Sequence, residues 1–275
     1  MRRPAKISWR VFAIVTILAL TGAAYWWMNF PKNIYQAARS GNVAAIRLYL
    51  WWSPKLINAP ENGNGGSGSR SPPLYQAISA GRLNVVQFLI RHGAKVRCLG
   101  FPEAVHRAIL CLQPAIARFL VGNGSGEDFF TAAGLADIGF MNRLASRDPA
   151  LLRARSRHYQ RRAISYAIYS GQQRAVEWFL ERGFSPNDRS RGRPLIWEAA
   201  IGARSLEIVK LLVRDGADPN PKLNGHTSLI KWMEEDPRYV VPSQVPKRFR
   251  CRGCREIYLF LRRHARSAKE GLSTR

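Results

Sequence analysis

Apolar positions in this chain recur as short helical stripes punctuated by glycine. Val85, Val86, Phe88 and Leu89 follow the i, i+1, i+3, i+4 spacing that lines one face of a helix. Ala77 and Ala167 stand four residues before Gly81 and Gly171, small side chains where two helices approach closely. Gly81 and Gly171 suit a first helix that ends in left-handed backbone, and Gly93, Gly183 and Gly216 do the same for a second. The whole pattern is duplicated in residues 162–187 and 193–220. Asn187 and Asn220 lie 33 positions apart, as do Gly183 and Gly216. A lone helix pair cannot bury its stripe, whereas several stacked pairs share one continuous core.

A period of about 33 residues with this content resembles the ankyrin repeat. Residues 71–98 follow its pattern most closely: Ser-Pro-Pro-Leu-Tyr-Gln-Ala, then Gly81, a Val-Val-x-x-Leu helix and Gly93-Ala94. Residues 34–58 form a first unit without the opening Thr-Pro. Residues 102–124 keep Val105, His106 and Ala108 in the Leu-His-x-Ala slots, with Leu112 in place of the turn glycine. Residues 129–152 carry Asp137 at that turn, and residues 226–264 begin a last unit that closes after an insertion. The resemblance implies an all-α solenoid of about seven units over residues 31–264, with insertions at 60–71 and 234–252. Residues 265–275 read as a basic tail.

Residues 11–30 carry no charge across twenty positions, enough for a helix to cross a bilayer. Trp9 stands at one end and Tyr25, Trp26 and Trp27 near the other, as interfacial aromatics do. Arg2, Arg3, Lys6 and Arg10 precede the run, so residues 1–10 read as a cytoplasmic basic segment and the repeats as exported. A cleaved signal peptide is the competing reading, with Gly22-Ala23-Ala24 as a small-residue cleavage site. The expected location is the inner membrane, single-pass, with the repeats in a periplasm.

The formal charge of +25 would fit nucleic acid, yet only nine of the 43 basic residues are lysine and the charge spreads over most repeats. Export argues against a nucleic-acid partner; an anionic protein, lipid headgroup or envelope polymer suits the charge better. Between Lys247 and Lys269 nine basic residues face Glu256 alone, as on a capping helix with a polar outer face or on a contact surface for anionic partners or the nearby membrane.

Four cysteines fall as Cys98 with Cys111 and Cys251 with Cys254. In an oxidising compartment an even count suggests bridges, and Cys251–Cys254 could pin the inserted loop, whereas Cys98 and Cys111 could pair or both be buried free thiols. A Cys-x-x-Cys beside arginine also lowers a thiol pKa, which keeps a thiol-redox alternative open. Cys251, Cys254 and His264 make only three of the four ligands a structural zinc needs, so no metal and no cofactor is expected. No serine elbow, phosphate-cradling loop or His-Glu-x-x-His helix occurs, and the chain reads as non-catalytic. The resemblance implies that His106 and His226 bond backbone near the opening turns.

The leading expectation is a membrane-tethered interaction scaffold, with an immunity protein against an envelope toxin as an alternative. The resemblance implies that partners bind at turn tips and on the concave face of the first helices. Carried over unit by unit, that face comprises Gln76, Arg107, Tyr166, Tyr169, Trp197 and Lys231. The three aromatics would be its anchors. An extra two residues near Ala203 disturb the register there.

Overall fold

A computed structural model describes residues 30–61, 71–97, 103–223, 227–236 and 253–273. The chain divides into two compact units, Met1–Ala94 and Lys95–Arg275. Most of the 11–30 run, most of both insertions, Cys98, His226 and Cys251 lie outside the described residues. Among the described residues no helix is long and apolar enough to cross a membrane.

The first unit holds two helix pairs, α1 (Ile34–Ser40) with α2 (Val43–Trp52) and α3 (Pro73–Ser79) with α4 (Leu83–Arg91). Asn33 and Asn42 cap α1 and α2, their side chains accepting from the Gln36 and Ala45 amides that begin each helix unpaired. Pro73 opens α3, where its missing N–H costs nothing. The first helices α1 and α3 pack side by side, with Ala37, Ala38 and Ala77 fully buried.

The second unit continues with α5 (Ala104–Leu110), α6 (Pro114–Leu120), α7 (Phe129–Leu135), α8 (Ile138–Arg147), α9 (Ala163–Tyr169) and α10 (Gln173–Glu181). Then come α11 (Leu195–Trp197), prolonged by a π-helical turn Glu198–Ala203, and α12 (Leu206–Arg214). The last pair is α13 (Leu229–Glu235) with α14 (Cys254–Ser273). α14 runs past residue 264, so the expected tail is largely helix. One cluster of buried side chains extends from Phe129 to Leu261, the shared core that stacking demands.

Two hairpins join repeats: β1 (Arg189–Ser190) with β2 (Arg193–Pro194), and β3 (Lys222–Leu223) with β4 (Thr227–Ser228). Between β1 and β2 the backbone turns at Arg191 and Gly192, both at positive φ, 53° and 75°. That is the twist a two-residue hairpin favours.

The turn inside each pair explains where the glycine pattern holds and where it breaks. Gly81 and Gly171 sit at φ 68° and 70°, and the same station is filled by Leu112 at 61°, Ala136 at 58° and Arg204 at 54°. In the 129–152 unit Ala136, rather than Asp137, takes the left-handed position. Asp137 instead caps α8, accepting from the Phe140 amide at 2.8 Å. Left-handed geometry costs a side-chain-bearing residue about 1–2 kcal/mol, and a glycine recovers most of it. Leu112→Gly should therefore stabilise the fold by roughly 0.5–1 kcal/mol, while Gly171→Ala should destabilise it by a similar amount. Urea midpoints of the two variants should move in opposite directions; a shared direction would disprove the assignment.

Candidate interaction surface

The first helices present far less open surface than the expected concave face requires. In α9 every residue from Ala163 to Ile168 is buried, and in α3 every residue from Pro73 to Ile78. α3 is walled by its own partner helix and by α1, and α9 by its partner helix, by α7 and α5, and by the turn Glu198–Ala203.

Three of the six proposed contact residues therefore point inward. Tyr166 is fully buried, with its hydroxyl 2.9 Å from Ser156 Oγ, and burial raises its phenol pKa well above the ordinary value. Its ring meets His106 at 5.0 Å and Phe130 at 5.6 Å, a ladder across three successive repeats. Trp197 is buried; its indole N–H donates to the Pro221 carbonyl at 3.2 Å and its ring tilts against Trp232. Gln76 is buried too, its amide donating to Glu61, which also takes both guanidinium nitrogens of Arg39. These side chains join repeats; a partner cannot reach them without opening the stack.

Tyr169, Arg107 and Lys231 remain. Lys231 is exposed and Arg107 half-buried beside Tyr159, to which it hydrogen-bonds. Tyr169 is half-buried, and the Arg161 guanidinium lies over its ring at 4.7 Å. A Cβ on Gly202 would fall 2.8 Å from this ring, so only glycine allows the approach. Gly202 belongs to the π-helical turn Glu198–Ala203, which absorbs the extra residues seen in the sequence as a register break.

The same turn carries Glu198 into the interior, where no part of it meets solvent. Arg161 Nη1 pairs with Glu198 Oε1, while Oε2 lacks a hydrogen-bond partner. Burial raises the Glu198 carboxyl pKa, and the Arg161 charge pulls partly the other way. Arg161 thus touches a buried carboxylate and a half-exposed ring together.

The inter-repeat turns are strongly basic, and Arg161 reaches from the first of them to the Tyr169 ring. Arg155, Arg157, Arg189, Arg191, Arg193 and Lys222 are all exposed on three successive turns. Arg155 pairs with Arg162 across the first turn in an isolated antiparallel bridge. Arg162 binds Asp188 at 2.8 Å, and Arg189 reaches the Lys222 carbonyl at 3.1 Å, so each turn is tied to the next. The duplicated Pro-Asn has a related role that the spacing alone did not disclose. Asn187 donates to the Gly216 carbonyl and accepts from the Asp218 amide, and Asn220 accepts from the Ile230 amide. Each asparagine clips its repeat to the next.

His106 bonds a side chain, not backbone: its Nε2 lies 2.9 Å from Asp128 Oδ2 and 3.7 Å from Glu103 Oε2. Among the described residues these three are the group whose donor atoms could share a cation. Asp128 is already engaged, however, capping α7 through the Thr131 amide at 2.7 Å. Burial raises its carboxyl pKa, but the bonds from His106 and Thr131 outweigh that and hold it below the usual range. The trio reads as a clasp between repeats. Cys111 is free, so it forms no bridge with Cys98. Cys254 is disulfide-bonded and fully buried at the start of α14, poorly placed for thiol exchange, which needs access.

The ankyrin-repeat family model matches residues 71–100 and 191–224. Those two segments are the α3–α4 pair and the α11–α12 pair with its flanking hairpins. Among solved structures, the ankyrin repeat domain of Bcl-3 is similar at 23% identity. The likeness covers 72% of this chain and 77% of that one, with a TM-score of 0.36. No curated protein matches the sequence. The two matched segments carry ankyrin repeats, and ankyrin repeats are in general non-catalytic modules that bind other proteins.

Proposed function

We propose that this chain is a membrane-tethered scaffold whose basic turn row, beside Tyr169, holds an acidic protein outside the cytoplasm. The observation that carries the reading is the row of exposed Arg155, Arg157, Arg189, Arg191, Arg193 and Lys222 on consecutive, mutually bonded turns. Such a fixed positive field steers and orients an anionic surface, and the half-buried Tyr169 supplies an aromatic contact within it. Tethering rests on the uncharged residues 11–30 and the basic residues ahead of them. Arg107 and Lys231 are secondary contacts in the same reading.

The test is cross-linking on intact cells followed by capture from the carbonate-washed membrane fraction. With the captured partner, Tyr169→Ala should weaken binding by roughly thirtyfold, about 2 kcal/mol. Arg191→Ala should mainly lower the on-rate and flatten its salt dependence, as rim charges do. A partner bound equally well by both variants would move the site elsewhere. Recovery of the chain only in the soluble fraction would refute the tether.

A further inference from the structure

The second helix of the first repeat has an apolar face that the fold leaves uncovered. α2 buries only Ala45 and Ile46, although Arg47 is its single charged residue. Leu48, Trp51 and Trp52 are 49%, 78% and 83% exposed. Their i, i+3, i+4 spacing sets them on one side of the helix. Exposed tryptophans in adjacent positions are unusual on a protein surface that meets only water.

Three observations specify what covers this face. The uncharged run of residues 11–30 ends at Phe30, whose ring lies 6.2 Å from that of Tyr49 on α2. The Tyr49 hydroxyl donates to the Pro31 carbonyl at 2.6 Å, fixing the point where that run stops to the helix that bears the tryptophans. The first acidic residue of the whole chain is Glu61, and Lys32, Arg47 and Lys55 are exposed around α2. A second copy would meet this patch with like charge. Tryptophan flanked by lysine and arginine, without acid, matches the boundary between anionic headgroups and acyl chains.

We propose that the Leu48–Trp51–Trp52 face of α2 seats in that boundary of the bilayer, so that the first repeat lies against the membrane. This rests on the tethering reading above. The face acts as a second, peripheral contact that fixes how the repeats leave the membrane, beyond what a single helix through the bilayer can do.

The full chain is reconstituted in phosphatidylcholine–phosphatidylglycerol vesicles with brominated or ordinary acyl chains. Subtracting the emission of a Trp51→Phe/Trp52→Phe variant removes the contribution of the other tryptophans. The difference signal should be blue-shifted and should be lost in brominated vesicles. Trp51→Ala/Trp52→Ala should leave the chain folded, because both side chains are exposed, and resistant to carbonate washing while freeing the first repeat to proteolysis. A difference signal that brominated lipid leaves intact, whether water-exposed or shielded by another protein, overturns the proposal. Should carbonate release the wild-type chain, the tether fails; bromine quenching before the wash still supports the patch, and its absence then overturns both.

Discussion

Arg161→Ala is expected to destabilise the second unit by about 3–5 kcal/mol, because it strands Glu198 as an uncompensated buried charge. Glu198 has no solvent exposure, and the Arg161 side chain retains only 14%. Removing the guanidinium also takes the cation from the Tyr169 ring. Urea unfolding should show a lower midpoint with little change in slope. In the Arg161→Ala background, Glu198→Gln should restore part of the loss, since a neutral amide is far cheaper to bury than a carboxylate. A surface ion pair would give less than 1 kcal/mol and no such rescue, so the double variant separates the two cases.

The pH dependence has a definite sign. Burial raises the Glu198 pKa above its reference of 4.5, so near that pH and below the folded protein keeps this carboxyl neutral at no charge cost. As pH rises through the raised pKa, the native state must ionise a buried group and stability is lost. The stability of wild type relative to Glu198→Gln should therefore be greatest at acid pH and fall as pH climbs above about 4.5. In Arg161→Ala the window should extend to higher pH, because the charge that lowered the pKa is gone. A wild-type difference that grows with pH would contradict the burial argument.

Much of the helix pairing was legible because glycine marks a backbone requirement. Gly81, Gly171, Gly183 and Gly216 all take positive φ, and the apolar stripe Val85, Val86, Phe88, Leu89 is buried or nearly so on one face. Leu112 could be placed at the turn by alignment, though its own chemistry disfavours that geometry. The register break near Ala203 was visible, but its resolution as a π-helical turn that pushes Gly202 against Tyr169 was not. The direction of Tyr166, Trp197 and Gln76 was not legible for a different reason. A helix of seven residues makes two turns, and here neighbours press on it from nearly every side, so no polar stripe marks an outer face. Position in a template then says which helix a residue occupies, not which neighbour it meets. Exposure concentrates on the turns, where arginines read in the sequence as general positive charge.

Trp197 separates a packing residue from a contact residue most sharply, and Trp197→Ala should cost about 3–5 kcal/mol of stability. The indole is 3% exposed, leans on Trp232 in the next repeat and donates to the Pro221 carbonyl at 3.2 Å. Truncation leaves a cavity between repeats and leaves the Pro221 carbonyl with the Leu229 amide alone, and with first helices only two turns long the backbone can do little to close the gap. The melting temperature of the second unit should fall by about 10 °C. Trp197→Phe retains most of the volume but loses the N–H donor, so it should cost nearer 1 kcal/mol. Partner affinity measured well below both melting points should change little in the phenylalanine variant, whereas Tyr169→Ala should show the reverse, with near-normal melting and weakened binding. If Trp197→Ala melts like wild type yet abolishes capture of the partner, the indole must swing outward in the complex, and the surface would extend from the turns into the first helices.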